Sequence, residues 1–287
     1  AQVTVADTRH QPELMQRLAQ ELQALAAPGQ VPPQVVCAPL DAALLASQPW
    51  ACVCKSPGLS PPQLQPVTDW SLHRPAGSVL GELDLFAQGL KQAYAGAGFQ
   101  PKVLAITGTN GKTTVTSLTG QLVERSGKPV AVAGNIGPTL LDTLAEHLDS
   151  DTLPDVWVLE LSSFQLDGVV DFEPTAATVL NITQDHLDWH GDMQAYAAAK
   201  ARIFGQSAVM VLNRDEPAVM AMLPEPVRVK LQKPQQRAHT TFGGDMPRRP
   251  GDFGIEMVSG MAWLVRALES DETRKRGRSE EPELHIQ

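Results

Sequence analysis

Short runs of aliphatic and β-branched residues alternate with amphipathic stretches along most of the 287 residues. That alternation is the pattern of a parallel sheet wrapped by helices. Val3 to Ala6 reads as a first strand, and Ala51 to Cys54 as another. Between them, Pro12 to Ala26 reads as a helix with Leu14, Leu18, Leu22 and Leu25 on one face. Glu82 to Tyr94 is predicted helical, and the small residues Ala95-Gly96-Ala97-Gly98 resemble a linker. A domain boundary is therefore expected there, giving domains at 1–97 and 98–287. Downstream, strands are predicted at Val130–Ala133, Val156–Leu161, Ala177–Ile182 and Val209–Leu212, separated by helices at Pro138–Leu148 and Met193–Phe204. Val227–Leu231, His239–Phe242 and Met261–Val265 read as further strands, expected to run antiparallel at a sheet edge. Glu269 to Gln287 mixes charges without periodicity and reads as a solvated loop, its Arg274-Lys275-Arg276 cluster included.

One strand ends unlike the others. The apolar run Lys102 to Ile106 breaks into Thr107-Gly108-Thr109-Asn110-Gly111-Lys112-Thr113-Thr114, and Val115 to Glu124 continues as a helical pattern. A Gly-rich turn between a strand and a helix aims backbone N–H groups and the positive end of a helix dipole at one point, which suits a polyphosphate. Gly108, Thr109, Asn110, Gly111, Lys112, Thr113 and Thr114 are the predicted nucleotide-binding residues. Lys112 would reach the β- and γ-phosphates, and the Thr113 hydroxyl would face Mg²⁺. The full Walker spacing asks for glycine at 106, where Ile106 stands, so this is a shortened variant of that loop.

Composition narrows the class. Hydrophobic residues make up 43% and charged residues 19%, ordinary values for a globular protein. A net charge of −9 argues against a non-specific nucleic-acid binder, so anionic phosphates must be held by local devices. No run approaches the length of a membrane span and no signal peptide opens the chain, so a cytoplasmic protein without membrane partners is expected, and a monomer. Cys37, Cys52 and Cys54 read as reduced thiols rather than a disulfide or zinc site.

In open α/β sheets, ligands sit beyond the carboxyl ends of the strands. Asp7-Thr8-Arg9, Ser56-Pro57-Gly58, the phosphate loop, Gly134-Asn135, Glu160 with Ser162-Ser163, and Thr183 to His186 all follow or end predicted strands. They could share one rim. A strand-ending Asp such as Asp7 also commonly caps the next helix. Glu160 ends Val156-Trp157-Val158-Leu159, delivering a carboxylate that suits Mg²⁺, although a capping or paired Glu would look the same. His186 and His190 fit either a structural or a functional role. Lys200, in an Ala-rich helix, reads simply as an exposed lysine.

Together these motifs resemble the Mur ligase family of peptidoglycan precursor synthesis. The resemblance is carried by Ala105 to Thr114, Gly134-Asn135-Ile136-Gly137, Glu160-Leu161-Ser162-Ser163-Phe164-Gln165-Leu166 and Asn181-Ile182-Thr183-Gln184-Asp185-His186-Leu187-Asp188. It covers the chain up to about Asn213 and fades after Phe242. The Glu160 motif, Asp7-Thr8-Arg9 and Ser56 to Leu59 point within the family to the branch that joins D-glutamate to UDP-N-acetylmuramoyl-L-alanine. The implied fold is α/β: a truncated Rossmann-like domain followed by a P-loop ATPase-type parallel-sheet domain.

The implied activity is an ATP-dependent amide ligase that works through an acyl phosphate. Thr113 and Glu160 would then hold one Mg²⁺ and His186 a second, with Lys200 matching a carbamylated lysine of the family. Lys112, Glu160, His186 and Lys200 form the implied catalytic set. Asn135, Ser162 and His186 would contact the muramoyl-alanine part, and Asp7, Thr8, Arg9, Ser56, Pro57 and Gly58 the uridine diphosphate. Another amide ligase of the superfamily, such as folylpolyglutamate synthetase, and a non-catalytic nucleotide binder are the alternatives.

Three departures bear on activity. The family's first βα unit and its third, D-glutamate-binding domain have no counterpart between Ala1 and Gln287, and Gln184 stands where glutamate is common. Little or no ligase turnover is expected from these residues alone.

Overall fold

A computed structural model describes residues 3–7, 14–24, 35–75, 77–96, 98–227, 234–270 and 284–287. The chain divides into two compact units, Ala1–Lys55 with Leu59–Leu80, and Ser56–Gly58 with Gly81–Gln287.

In the first unit, β1 (Val3–Ala6) precedes α1 (Met15–Ala24) and pairs in parallel with β2 (Val35–Ala38). After α2 (Ala42–Ala46), β3 (Val53–Cys54) pairs in parallel with β4 (Val79–Leu80) across α3 (Pro61–Ser71). Each local signal has a visible cause. Asp41 caps α2 by accepting the Leu44 N–H at 2.7 Å, and α3 opens with prolines in its first turn, where a missing N–H costs nothing. Leu45, Leu64 and Val67 form a small core. Cys37, Cys52 and Cys54 form no disulfide with one another.

The second unit begins with α4 (Glu82–Ala93), followed by β5 (Lys102–Thr107), α5 (Lys112–Arg125), β6 (Val130–Gly134), α6 (Leu140–Asp149), β7 (Val156–Glu160), α7 (Ser163–Leu166) and β8 (Ala176–Val179). Next come α8 (Leu187–His190), α9 (Met193–Ala201) with a 3₁₀ turn at Arg202–Phe204, β9 (Val209–Asn213), α10 (Pro217–Met220), β10 (His239–Phe242), β11 (Phe253–Val258), β12 (Met261–Glu269) and β13 (Leu284–Ile286). The parallel sheet runs in the order β10-β9-β8-β5-β7-β6. The chain leaves β5 toward one side of the sheet and later returns to its other side, so β5 lies at the switch point.

Every residue of β7 is buried, with alternate side chains feeding different layers. Trp157 and Leu159 join the larger core with Phe86, Leu140 and Tyr196. Val156 and Val158 pack with Ile106 on the opposite face, against Val115 and Val123 of α5.

Two expectations are corrected. His239–Phe242 pairs in parallel with β9 as the edge of the large sheet, not antiparallel, because strand direction is set by the preceding crossover and not by composition. Met261–Val265 is antiparallel as expected: it lies in β12, which pairs with β11 in a separate sheet. Within the predicted solvated tail, Leu284–Ile286 pairs with β12, since its alternating Leu and Ile suit a half-buried strand.

Strand 176–179 is also shorter than predicted, and Arg274–Arg276 and residues 228–231 lie outside the described residues. Among the described residues no helix is long and apolar enough to cross a membrane.

The unit holding the phosphate loop starts at Gly81, upstream of the boundary expected at 97/98. Leu83, Phe86 and Ala87 of α4 are part of its core, and Tyr94 at the end of α4 donates its hydroxyl to the Pro154 carbonyl.

Candidate functional site

Because β5, β6, β7 and β8 are parallel, their carboxyl ends share one rim. From β5 the chain turns through the phosphate loop, and α5 starts at Lys112 with Gly111 as its N-cap at φ +82°. Gly108 has φ +159°, and a Cβ there would sit 3.0 Å from the Leu180 Cβ, so both backbone conformation and space ask for glycine. The segment after β8 braces the loop. Thr109 N–H donates to the Asn181 carbonyl at 3.0 Å, and Asn110 N–H to Asn181 Oδ1 at 2.9 Å. Asn181 Nδ2 returns a bond to the Asn110 carbonyl at 3.1 Å, and Thr183 N–H donates to Thr109 Oγ1 at 3.0 Å. Lys112 Nζ donates to the Gly108 and Thr109 carbonyls at 3.0 and 2.9 Å. The ammonium that a phosphate would take is thus folded onto the loop itself.

Strand parity places the carboxylate. Glu160 shares the α5 face of β7 with Val156 and Val158 and is 4% exposed. Its Oε1 accepts from Asn135 Nδ2 at 3.2 Å, while Asn135 N–H donates to the Glu160 carbonyl at 2.9 Å. Gly134 makes this close approach possible: a Cβ on it would lie 2.0 Å from the Glu160 carbonyl oxygen. Glu160 and Thr113 line one cavity of about 450 Å³ between α5 and β6, together with Thr116, Gly120, Val132 and Gly137.

Lys200 reaches the rim from the other face. It is 2% exposed, and its Nζ donates to the Gly108 carbonyl at 2.9 Å and to Thr107 Oγ1 at 3.3 Å. Burial, and then the neighbouring Lys112 charge, lower its pKa to about 7. The reading of Lys200 as an exposed helical lysine is therefore corrected: α9 turns it inward.

His186 caps α8 in a left-handed conformation at φ +51°, with its ring 4.7 Å from Phe164 and its Nε2 3.4 Å from Asp185 Oδ2. His190 lies behind it, its Nε2 2.9 Å from Ser163 Oγ, and burial lowers its pKa.

Other predicted residues have local roles or lie elsewhere. Ser162 accepts the Gln165 N–H at 3.2 Å and caps α7. Asp7 follows β1, its N–H donating to the Ala38 carbonyl at 3.2 Å. Thr8 and Arg9 lie outside the described residues, and Ser56, Pro57 and Gly58 group with the second unit. Sequence reasoning gave no role to Asn181 or Tyr196, both of which touch the loop. The i,i+4 spacing of Tyr196 and Lys200, which puts them on one helical face, was the available signal for Tyr196.

Known proteins point the same way as this rim. Residues 106–249 match the Mur ligase middle domain. A protein of Albidiferax ferrireducens named UDP-N-acetylmuramoylalanine–D-glutamate ligase is 60% identical over all 287 residues, which are 55% of its own length. One of the same name from Polaromonas sp. is 73% identical over 195 residues, 68% of this chain and 33% of that protein. The solved structure of UDP-N-acetylmuramoyl-L-alanyl-D-glutamate–2,6-diaminopimelate ligase aligns over 87% of this chain and 59% of its own at 21% identity, with a TM-score of 0.46. The chain spans about half the length of the curated relatives it matches. Since the middle-domain match covers half of the chain and spans the phosphate loop, Glu160, His186 and Lys200 alike, the chain belongs to the Mur ligase family.

Proposed function

We propose that this chain carries the nucleotide-activating part of an ATP-dependent ligase that joins D-glutamate to UDP-N-acetylmuramoyl-L-alanine in peptidoglycan precursor synthesis. The observation that supports it most is the meeting of a braced glycine loop, the Lys112 ammonium and two buried, oppositely charged side chains, Glu160 and Lys200, at one sheet rim. In the proposed reaction the alanyl carboxylate attacks the γ-phosphorus, ADP leaves, and the D-glutamate amine then displaces phosphate from the acyl phosphate. Catalysis of such a transfer rests on positioning and charge neutralisation.

Lys112 would exchange its two carbonyl bonds for phosphate oxygens, joined by the first N–H groups of α5. Thr113 and Glu160 are a donor set that fits Mg²⁺. Glu160 is buried and forms no ion pair among the described residues, so a cation beside it would relieve an uncompensated charge. No group of three His, Cys, Asp or Glu gathers among the described residues, and Mg²⁺ in phosphate sites keeps water and phosphate oxygens as its other ligands. When bound, the metal would neutralise charge building on the transferred phosphoryl group. A pKa near 7 keeps part of the Lys200 population as free amine, able to take up CO₂ with loss of a proton and become an anionic oxygen ligand beside His186. Asn135, Ser162 and His186 would face the muramoyl-alanine part. Asp7, Thr8, Arg9, Ser56, Pro57 and Gly58 would hold the uridine diphosphate.

Calorimetric titration with Mg·ATP and with UDP-N-acetylmuramoyl-L-alanine tests this reading, with Lys112→Ala as the comparison. ATP should bind the parent chain, and the variant should bind at least about tenfold more weakly, the scale of one lost charge-assisted contact. Equal ATP binding by the two chains would refute the assignment of the loop.

A further inference from the structure

Tyr196 lies in α9 one turn before Lys200 and is 1% exposed. Its hydroxyl is 3.2 Å from Thr109 Oγ1, within the phosphate loop, and its ring centroid is 4.8 Å from Lys200 Nζ. His190 and His186 close the other sides, with ring centroids at 5.2 and 6.4 Å. A phenyl ring would fill this space as well as a phenol does, so packing accounts for the ring and not for the hydroxyl. The hydroxyl instead meets a threonine that also accepts the Thr183 N–H at 3.0 Å and donates to the Thr183 carbonyl at 3.2 Å. Three segments, after β5, after β8 and within α9, therefore converge on one Thr109 oxygen. The loop needs such pins, because Gly108 and Gly111 leave its backbone with unusual conformational freedom.

We infer that Tyr196 is a positioning residue of the phosphate site: its hydroxyl pins Thr109, and its ring seats the Lys200 amine against the Gly108 carbonyl. The helix carrying Lys200 thereby sets the shape of the loop before any nucleotide arrives. This rests on the proposed reading of the loop as a nucleotide site only for its consequence on affinity; the pinning itself is a property of the chain alone.

The test compares Tyr196→Phe and Thr109→Val, which break the same contact from its two ends, with the parent chain. Amide hydrogen exchange is read without nucleotide, and the dissociation constant of Mg·ADP is read by titration. Losing one neutral hydrogen bond should speed exchange of the loop amides about threefold to tenfold in Tyr196→Phe, with β5 and β7 unchanged. Mg·ADP affinity should fall by a similar factor, and the double variant should add nothing to Thr109→Val alone. Loop exchange at the parent rate, or acceleration spread evenly through β5, β7 and α9, would overturn the inference in favour of simple core packing. If the parent chain binds no Mg·ADP, the nucleotide reading fails, and the exchange pattern still decides the role of Tyr196.

Discussion

Replacing Lys200 with methionine keeps the length of a buried stem and removes the amine at its tip. Lys200 is 2% exposed, so solvent screens little of the cost of its amine. Its pKa falls from 10.5 to about 7, through burial first and the Lys112 charge second, with Asp185 opposing. The sign follows from proton counting. Between these two values the unfolded chain holds a proton that the folded chain has released, so stability rises with pH across that interval. The penalty from this group is roughly 4–5 kcal/mol at pH 6 and about 2 kcal/mol at pH 9. The parent chain should therefore gain about 2–3 kcal/mol relative to Lys200→Met between those pH values. Urea unfolding of both chains in CO₂-free buffer at half-unit steps measures it, with the difference between the chains as the readout. Loss of the bonds to Gly108 and Thr107 shifts that difference by a constant and leaves its slope alone. A difference that stays flat from pH 6 to pH 9 would refute the claim that a desolvated amine sits beneath the loop.

Two further predictions concern the frame around the site. Gly134→Ala forces a Cβ to within 2.0 Å of the Glu160 carbonyl oxygen at a φ of +133°, so it should cost at least about 3 kcal/mol in urea unfolding; a loss under about 1 kcal/mol would show that β6 can shift freely against β7. Phe86→Ala should cost about 3–5 kcal/mol, because Phe86 is fully buried edge-on to Trp157, and the loss should appear in the unfolding of the unit that holds the phosphate loop, as expected if α4 belongs to it.

Much of this architecture was legible because it depends on local pattern. Val156 to Leu159 is an unbroken apolar run that only a strand covered on both faces can use, and Glu160 stands out because it interrupts that run. The loop was legible from its glycines, which mark positions where the backbone must do what a side chain forbids. What depends on distant packing was not legible. Ala95 to Gly98 has the composition of a linker, yet α4 before it and β5 after it belong to one unit, and only the burial of Phe86 and Tyr94 reveals this. Lys200 sits among alanines in a helix with no marked apolar face, so periodicity could not say which side turns inward. The direction of His239–Phe242 was hidden for a related reason: a strand of four residues looks alike whether its neighbour runs with it or against it.

The sheet's parity explains why the candidate site has the charges it has. On β7, Glu160 falls on the side of α5, whereas on β5, Thr107 falls on the side of α9 and receives Lys200. A buried carboxylate and a buried amine thus approach the same loop from opposite faces of one sheet, and among the described residues neither forms an ion pair. For the fold alone this is a poor arrangement, since two buried ionisable groups are each left to pay for desolvation without the other. For a ligand that brings a divalent cation it would be a matched one, because the cation would offset both the Glu160 carboxylate and the carbamate proposed at Lys200. Lys112 sharpens the point: its ammonium shares the Gly108 carbonyl with Lys200, and the repulsion between the two lysines would ease if a polyphosphate drew Lys112 away as proposed. The local cost in stability and the proposed capacity to bind are two consequences of the same strand register.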